Sequence, residues 1–196
     1  MYDDIELIAD RPNFQVYQLD YVAKNKDKFI EDSETAHNNF LKIFPGESAT
    51  LKYKHYNIFS LTIDSIYFHT LYNQLIYIIK QHHVKKEPLW FQSWINYHKQ
   101  EEVLKWHNHY PAKYSGYISI NPHKTRTSFK NYIIENKPGK LYIGRGEEHH
   151  KVEVLENFND PRITIAFDVY GYDSNYNGLI DKSLPPKNFS FFPIPT

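Results

Sequence analysis

The chain has 196 residues, of which 41% are apolar and 17% aromatic, so it can form one packed domain and is not a disordered segment. Lys+Arg and Asp+Glu are equal at 23 each, so no global charge marks a nucleic-acid or anionic-membrane partner. Cysteine is absent, which excludes disulfides and thiolate chemistry and leaves any metal to His, Asp or Glu.

The opening MYDDIELIAD has neither the basic nor the apolar region of a secretion signal, and no run is long enough to span a bilayer. The cytoplasm is the expected compartment. Residues 1–86 read as an N-terminal support of mixed structure. Phe14 to Leu19 alternates as a strand does, and the polar stretch from Lys24 to Phe44 is helix-compatible and closes on the turn pair Pro45-Gly46. Ile63, Ile66, Tyr67, Leu71, Leu75, Ile78 and Ile79 recur at spacings of three and four. This predicts an amphipathic helix, capped by Thr62 or Asp64, that packs against a sheet.

From Pro88 the texture changes to aromatic and β-branched segments broken by short turns. The expected strands are Leu89–Tyr97, Tyr114–Ile120, Ser128–Glu135, Lys140–Ile143, His150–Leu155 and Arg162–Tyr170. Turn signals fall between them at Asn121-Pro122, Lys137-Pro138-Gly139, Gly144 to Gly146 and Asn159-Asp160-Pro161. Such spacing predicts a mainly β, antiparallel sandwich or barrel over residues 87–170, within a single domain. Residues 171–196 are expected to be an extended tail, too proline-rich near its end for helix and anchored by its phenylalanines.

Among eleven histidines, three form a pattern. His107 and His109 are two apart, and in an extended chain both imidazoles lie on one face. His150 opens a distant predicted strand. A sheet that curls over itself brings such positions together, so the ligand set and the barrel support each other. Imidazole suits iron, zinc, copper and nickel alike. His149 and His150 are adjacent and face opposite ways on a strand, so one of the two is the candidate. Arg162, Thr164 and Ala166 share a strand face opposite Ile163, Ile165 and Phe167, an arrangement that suits a lined pocket or an exposed edge.

Two other patterns are weaker. The letters HNH at 107–109 do not make the nuclease of that name, which needs separated residues in a ββα unit. Asp173 to Gly178 has the first half of an EF-hand loop, but its twelfth position is Leu184 and prolines follow, so a turn rich in Asn and Gly explains it.

The stretch WHNHYPAKYSGYI, Trp106 to Ile118, resembles the first metal motif of an H-x-H subgroup of 2-oxoglutarate/Fe(II) oxygenases found in marine bacteria and phages. Pro138 to Ile143, His150-Lys151-Val152 and Arg162 to Phe167 resemble that group's later strands in order, so the likeness covers roughly Trp90 to Val169. Residues 1–86 have no counterpart in it. The resemblance implies a double-stranded β-helix of jelly-roll or cupin-like type. It also implies an Fe(II)- and 2-oxoglutarate-dependent dioxygenase that uses O2 to hydroxylate a small-molecule or peptidyl substrate. The implied metal ligands are His107, His109 and His150, with His150 rather than His149 in the distal role.

The superfamily's usual site has two histidines and a carboxylate. Here His109 stands at the carboxylate position. Either three histidines bind, or a carboxylate from elsewhere completes the site, or His109 only hydrogen-bonds; the H-x-H likeness favours the first. Arg162 and Thr164 resemble the pair that holds the distal carboxylate of 2-oxoglutarate through paired hydrogen bonds. Asn96, Ser115 and Tyr117 are further cosubstrate candidates. A cupin-type enzyme without 2-oxoglutarate is one rival, though cupins add a Glu soon after H-x-H and residues 110–116 contain none. A non-enzymatic jelly-roll binding or structural protein is the other.

Overall fold

The structure is a computed structural model and describes residues 2–83, 87–171 and 190–194. It is mainly β, with antiparallel sheets in a jelly-roll arrangement. Seven strands make the larger sheet. They are β1 (Ile5–Arg11), β2 (Phe14–Leu19), β3 (Leu89–His98), β4 (Tyr114–Asn121), β7 (Lys140–Arg145), β9 (Arg162–Gly171) and β10 (Phe191–Ile194), in the order β1-β2-β7-β4-β9-β3-β10. The smaller sheet is β6-β5-β8, from β5 (Thr125–Phe129), β6 (Ile133–Glu135) and β8 (His150–Val154). Neighbours in sequence are often not neighbours in the sheet, which is how a double-stranded helix of strands winds.

The helices α1 (Asp20–Lys24), α2 (Lys26–Ile43), α3 (Ile58–Leu61) and α4 (Ile66–His82) come before the β-rich part. They cover the outer face of the larger sheet. Phe91 of β3 packs there against Phe59, Tyr72 and Phe167, with ring centroids 5.8, 6.0 and 5.8 Å apart. Phe29, Phe40, Phe68, Leu71, Leu75 and Ile78 complete this layer and are buried. Each such side chain removed from water contributes about 1.5–3 kcal/mol.

The inner face of the same sheet looks toward the smaller one. Strand β9 therefore has no exposed face, and all ten of its residues are buried. Ile163, Ile165, Phe167 and Val169 serve the helix side, and Arg162, Thr164, Ala166 and Asp168 the inner side, as a period of two requires. In register, His98 pairs with Arg162, Asn96 with Thr164 and Trp94 with Ala166.

Several local expectations need correction. The stretch Ser128–Glu135 is two strands, β5 and β6, because residues 130–132 turn and the chain doubles back antiparallel. The long helix starts at Ile66, capped by Ser65, whose hydroxyl accepts from Phe68 N at 3.1 Å; neither Thr62 nor Asp64 is the cap, and Ile63 is exposed. Strand β1 was not foreseen. It is an edge strand with no buried residue, so it carries no alternation to read. The EF-hand-like stretch lies outside the described residues. Of the tail, Phe191–Ile194 pairs with β3 as a sheet edge. Among the described residues, no helix is long and apolar enough to cross a membrane.

Gly116 shows how tightly the sheet is packed. A Cβ there would collide with the Phe167 ring and the Tyr142 carbonyl. Gly116→Ala is expected to cost about 1–3 kcal/mol, the usual cost of overpacking. Chemical denaturation checks it; an unchanged midpoint would show that the two strands separate freely.

Candidate metal centre

Residues 104–113 lie between β3 and β4 and form no strand. His107 makes an isolated antiparallel bridge with His150, His107 N donating to His150 O at 3.0 Å and His150 N to His107 O at 2.9 Å. Two further bonds hold the segment, Val152 N to Leu104 O at 2.9 Å and His109 N to Gly146 O at 2.7 Å. The H-x-H pair is thus tied to the smaller sheet and the preceding turn by an isolated bridge and not by a regular extended strand.

The consequence is a three-imidazole cluster. One ring nitrogen each from His107, His109 and His150 lie within 4.8 Å of one another. The other nitrogens are occupied. His107 Nδ1 lies 2.7 Å from Lys105 O, His150 Nδ1 lies 3.0 Å from Glu148 O, and His109 Nδ1 lies 2.9 Å from Asp168 Oδ1. Carbonyl and carboxylate partners place the proton on Nδ1 and leave Nε2 as a bare lone pair on each ring. Metal-binding histidines are oriented by outer partners of this kind.

Electrostatics separate the three. Burial, then the neighbouring imidazoles, hold His150 down to about 3, so it is neutral at physiological pH. His107 is lowered, chiefly by burial. For His109 burial is the largest single effect and works downward, but the charge of Asp168 and the hydrogen bond to it together outweigh burial, and the net shift is upward. Asp168 also accepts a hydrogen bond from Tyr170 Oη at 3.1 Å. It was not singled out from the sequence. The signal was there, since Asp168 continues the inward series Arg162, Thr164, Ala166. Asp168→Asn is expected to weaken metal binding about 10- to 100-fold, as loss of an outer partner usually does. Competition against a chelator measures it, and an unchanged constant would remove Asp168 from the site. His149 is exposed, with its Nε2 3.2 Å from Asn108 Nδ2.

The cluster lines one end of a cavity between the sheets. Arg162, Thr164, Asn96, Ser115 and Tyr117 line the same cavity, with Trp94, Leu104, Thr127, Tyr142, Val152 and Ala166. All eight residues singled out from the sequence therefore surround one space. Trp94 lies beside His109, ring centroids 5.7 Å apart.

Arg162 is only 2% exposed, and among the described residues its Nε and Nη1 have no hydrogen-bond partner. Burial lowers its pKa to about 10, so it stays charged at neutral pH. Thr164 Oγ1 accepts from Asn96 Nδ2 at 3.2 Å, and Tyr117 Oη donates to Asn136 Oδ1 at 3.1 Å.

No protein-family model matches the chain, and no curated protein does. Partial likenesses exist among solved structures. One is a cupin-2 domain protein from Shewanella frigidimarina, 18% identical, covering 39% of this chain and 68% of that one, with a TM-score of 0.31. Another is an oxidoreductase of the 2OG-Fe(II) oxygenase family from Burkholderia pseudomallei, 10% identical, covering 53% of this chain and 58% of that one, with a TM-score of 0.42.

Proposed function

We propose that this protein is an Fe(II)- and 2-oxoglutarate-dependent oxygenase of the H-x-H kind that hydroxylates a small-molecule or peptidyl substrate. The observation that carries this reading is Arg162. A buried guanidinium without a partner is costly, and chains that keep one normally supply a counter-charge. Among the described residues no hydrogen-bond partner meets Arg162 Nε and Nη1, and a ligand in the cavity that the three histidines also line would supply the counter-charge. A ligand with a carboxylate for Arg162 and donor atoms for a metal satisfies both ends, and 2-oxoglutarate has that form.

The donor set fits a divalent metal. His107, His109 and His150 would hold it through Nε2, their Nδ1 protons being already engaged. The neutral imidazoles add no negative charge of their own, so the metal and Arg162 together favour an anionic cosubstrate. When bound, iron and 2-oxoglutarate supply the oxidative chemistry, in which O2 is consumed, 2-oxoglutarate leaves as succinate and carbon dioxide, and one oxygen atom enters a substrate C–H bond. The chain's own residues position and shield. Arg162 binds the distal carboxylate in a paired hydrogen-bond geometry, and Thr164 adds a hydroxyl. Ser115 and Tyr117 close the side of that pocket. Trp94, Leu104, Val152 and Ala166 form apolar walls that exclude water.

Thermal unfolding tests this reading. A ligand that binds only the folded state raises Tm with its concentration. The expected result is a rise on adding 2-oxoglutarate only when a divalent metal is present. A rise with metal alone and nothing further from 2-oxoglutarate would favour a cupin-type enzyme on the same three histidines. No response to either would indicate a binding or structural jelly-roll.

A further inference from the structure

Behind Arg162 the N-terminal layer reaches the inner face of the sheet through Thr50, in the loop that follows α2. Thr50 Oγ1 lies 3.0 Å from Asn96 Oδ1 and 2.7 Å from His98 Nε2. Trp94 Nε1 lies 3.1 Å from the same Asn96 oxygen, and Asn96 Nδ2 lies 3.2 Å from Thr164 Oγ1.

Counting protons gives each of these bonds a direction. The indole N–H can only donate, so the Asn96 atom beside it is the carbonyl oxygen. That oxygen can only accept, so Thr50 gives it its single hydroxyl proton. With that proton committed, His98 Nε2–H is the donor to Thr50; burial, and then the charge of Arg162, lower the imidazole to about 4, so it is neutral at physiological pH. At the other end of the amide, Asn96 Nδ2–H donates to Thr164. The hydroxyl proton of Thr164 is then left over, on a side chain that lines the cavity beside Arg162.

We propose that Thr50 and His98 are positioning residues for the cosubstrate, acting through the Asn96 amide to keep Thr164 a hydrogen-bond donor toward the carboxylate that Arg162 holds. This rests on the 2-oxoglutarate reading of the cavity. A Thr164 hydroxyl turned toward Asn96 would present only lone pairs to a carboxylate, which repels it. Trp94 and Thr50 together hold the amide in the productive sense, Trp94 from within β3 and Thr50 from the N-terminal layer. His98 faces Arg162 across the strand pair, so the network ends beside the guanidinium itself. The N-terminal residues thereby become part of the cosubstrate site as well as a packing layer.

The test is calorimetric titration of 2-oxoglutarate into the full chain saturated with Mn(II), which replaces iron so that oxygen chemistry does not intervene. Each variant is first titrated with Mn(II) alone, and unchanged metal binding shows that the fold is intact. Thr50→Val is expected to raise the Kd for 2-oxoglutarate about five- to tenfold, the usual scale for one neutral hydrogen bond. Thr50→Ser keeps the hydroxyl and is expected to restore it to within about twofold. Thr50→Ala removes atoms only and reads the same bond if valine is not accommodated. In a Thr164→Val background, Thr50→Val is expected to add nothing, because the effect runs through Thr164. An unchanged Kd in Thr50→Val, or an undiminished effect without the Thr164 hydroxyl, would overturn the relay while the function stands. Failure of the unaltered protein to bind 2-oxoglutarate would overturn the function, and the relay with it.

Discussion

Arg162→Ala is expected to leave metal affinity unchanged and to weaken 2-oxoglutarate binding by about 2–5 kcal/mol, the cost of removing one partner of a buried, hydrogen-bonded charge pair. That is about 30-fold to several-thousand-fold in Kd. The reason is geometric as well as electrostatic. The guanidinium is buried, and two of its nitrogens have no protein partner among the described residues. Arg162→Lys keeps a charge but loses the planar fork, so its affinity is expected between the two. Equilibrium titration of the metal-loaded protein with 2-oxoglutarate measures both variants. An Arg162→Ala protein that binds as well as the original would mean that the guanidinium meets some other anion.

His150→Ala is expected to abolish stoichiometric metal, with a loss exceeding the roughly 10- to 100-fold that removal of an outer partner costs. His149→Ala is expected to leave metal binding intact. The two residues are neighbours in sequence but not in environment. His150 is buried, backbone-paired with His107 and within reach of both other imidazoles, whereas His149 is exposed and lies beside the Asn108 amide. Metal analysis of the two purified variants decides it, and the opposite order would move the ligand to His149 and break the three-histidine geometry.

Legibility followed burial. Residues Phe14 to Leu19 could be read as a strand from the alternation of residue types, although Val16 and Tyr17, on opposite faces, are both buried. The inward series Arg162, Thr164, Ala166 was readable from the same period, even though β9 is buried on both sides, because its polar and apolar faces differ in chemistry. The edge strand β1 and the 130–132 turn left no such trace. The former has no fully buried residue, and the latter contains neither Gly nor Pro. The helix over Ile66 to His82 was clear from its apolar spacing, but its start depended on which hydroxyl accepts Phe68 N, and Ser65 is one of several candidates in that stretch.

At the site, the residue types could be read more easily than the contacts between them. The i, i+2 spacing of His107 and His109 suggested a shared face, yet the segment is not a strand. What orients these rings is a set of backbone carbonyls and Asp168, and carbonyl partners have no signature in side-chain identity. Thr50 was equally hidden. It lies in an irregular loop, and its partners Asn96 and His98 are 46 and 48 residues away. Only the packing of the N-terminal layer on the sheet brings them together. The inward placement of Arg162 was accessible because an arginine among inward-facing residues is chemically conspicuous.

A 2-oxo acid and a divalent iron are expected to occupy this cavity together, on His107, His109, His150 and Arg162. Anaerobic titration of the metal-free protein with Fe(II) and then 2-oxoglutarate, followed by visible absorption, tests it most directly. A charge-transfer band is expected that needs both additions, saturates at one equivalent of each, and is lost in His150→Ala. Iron binding with no new band on addition of 2-oxoglutarate would contradict it.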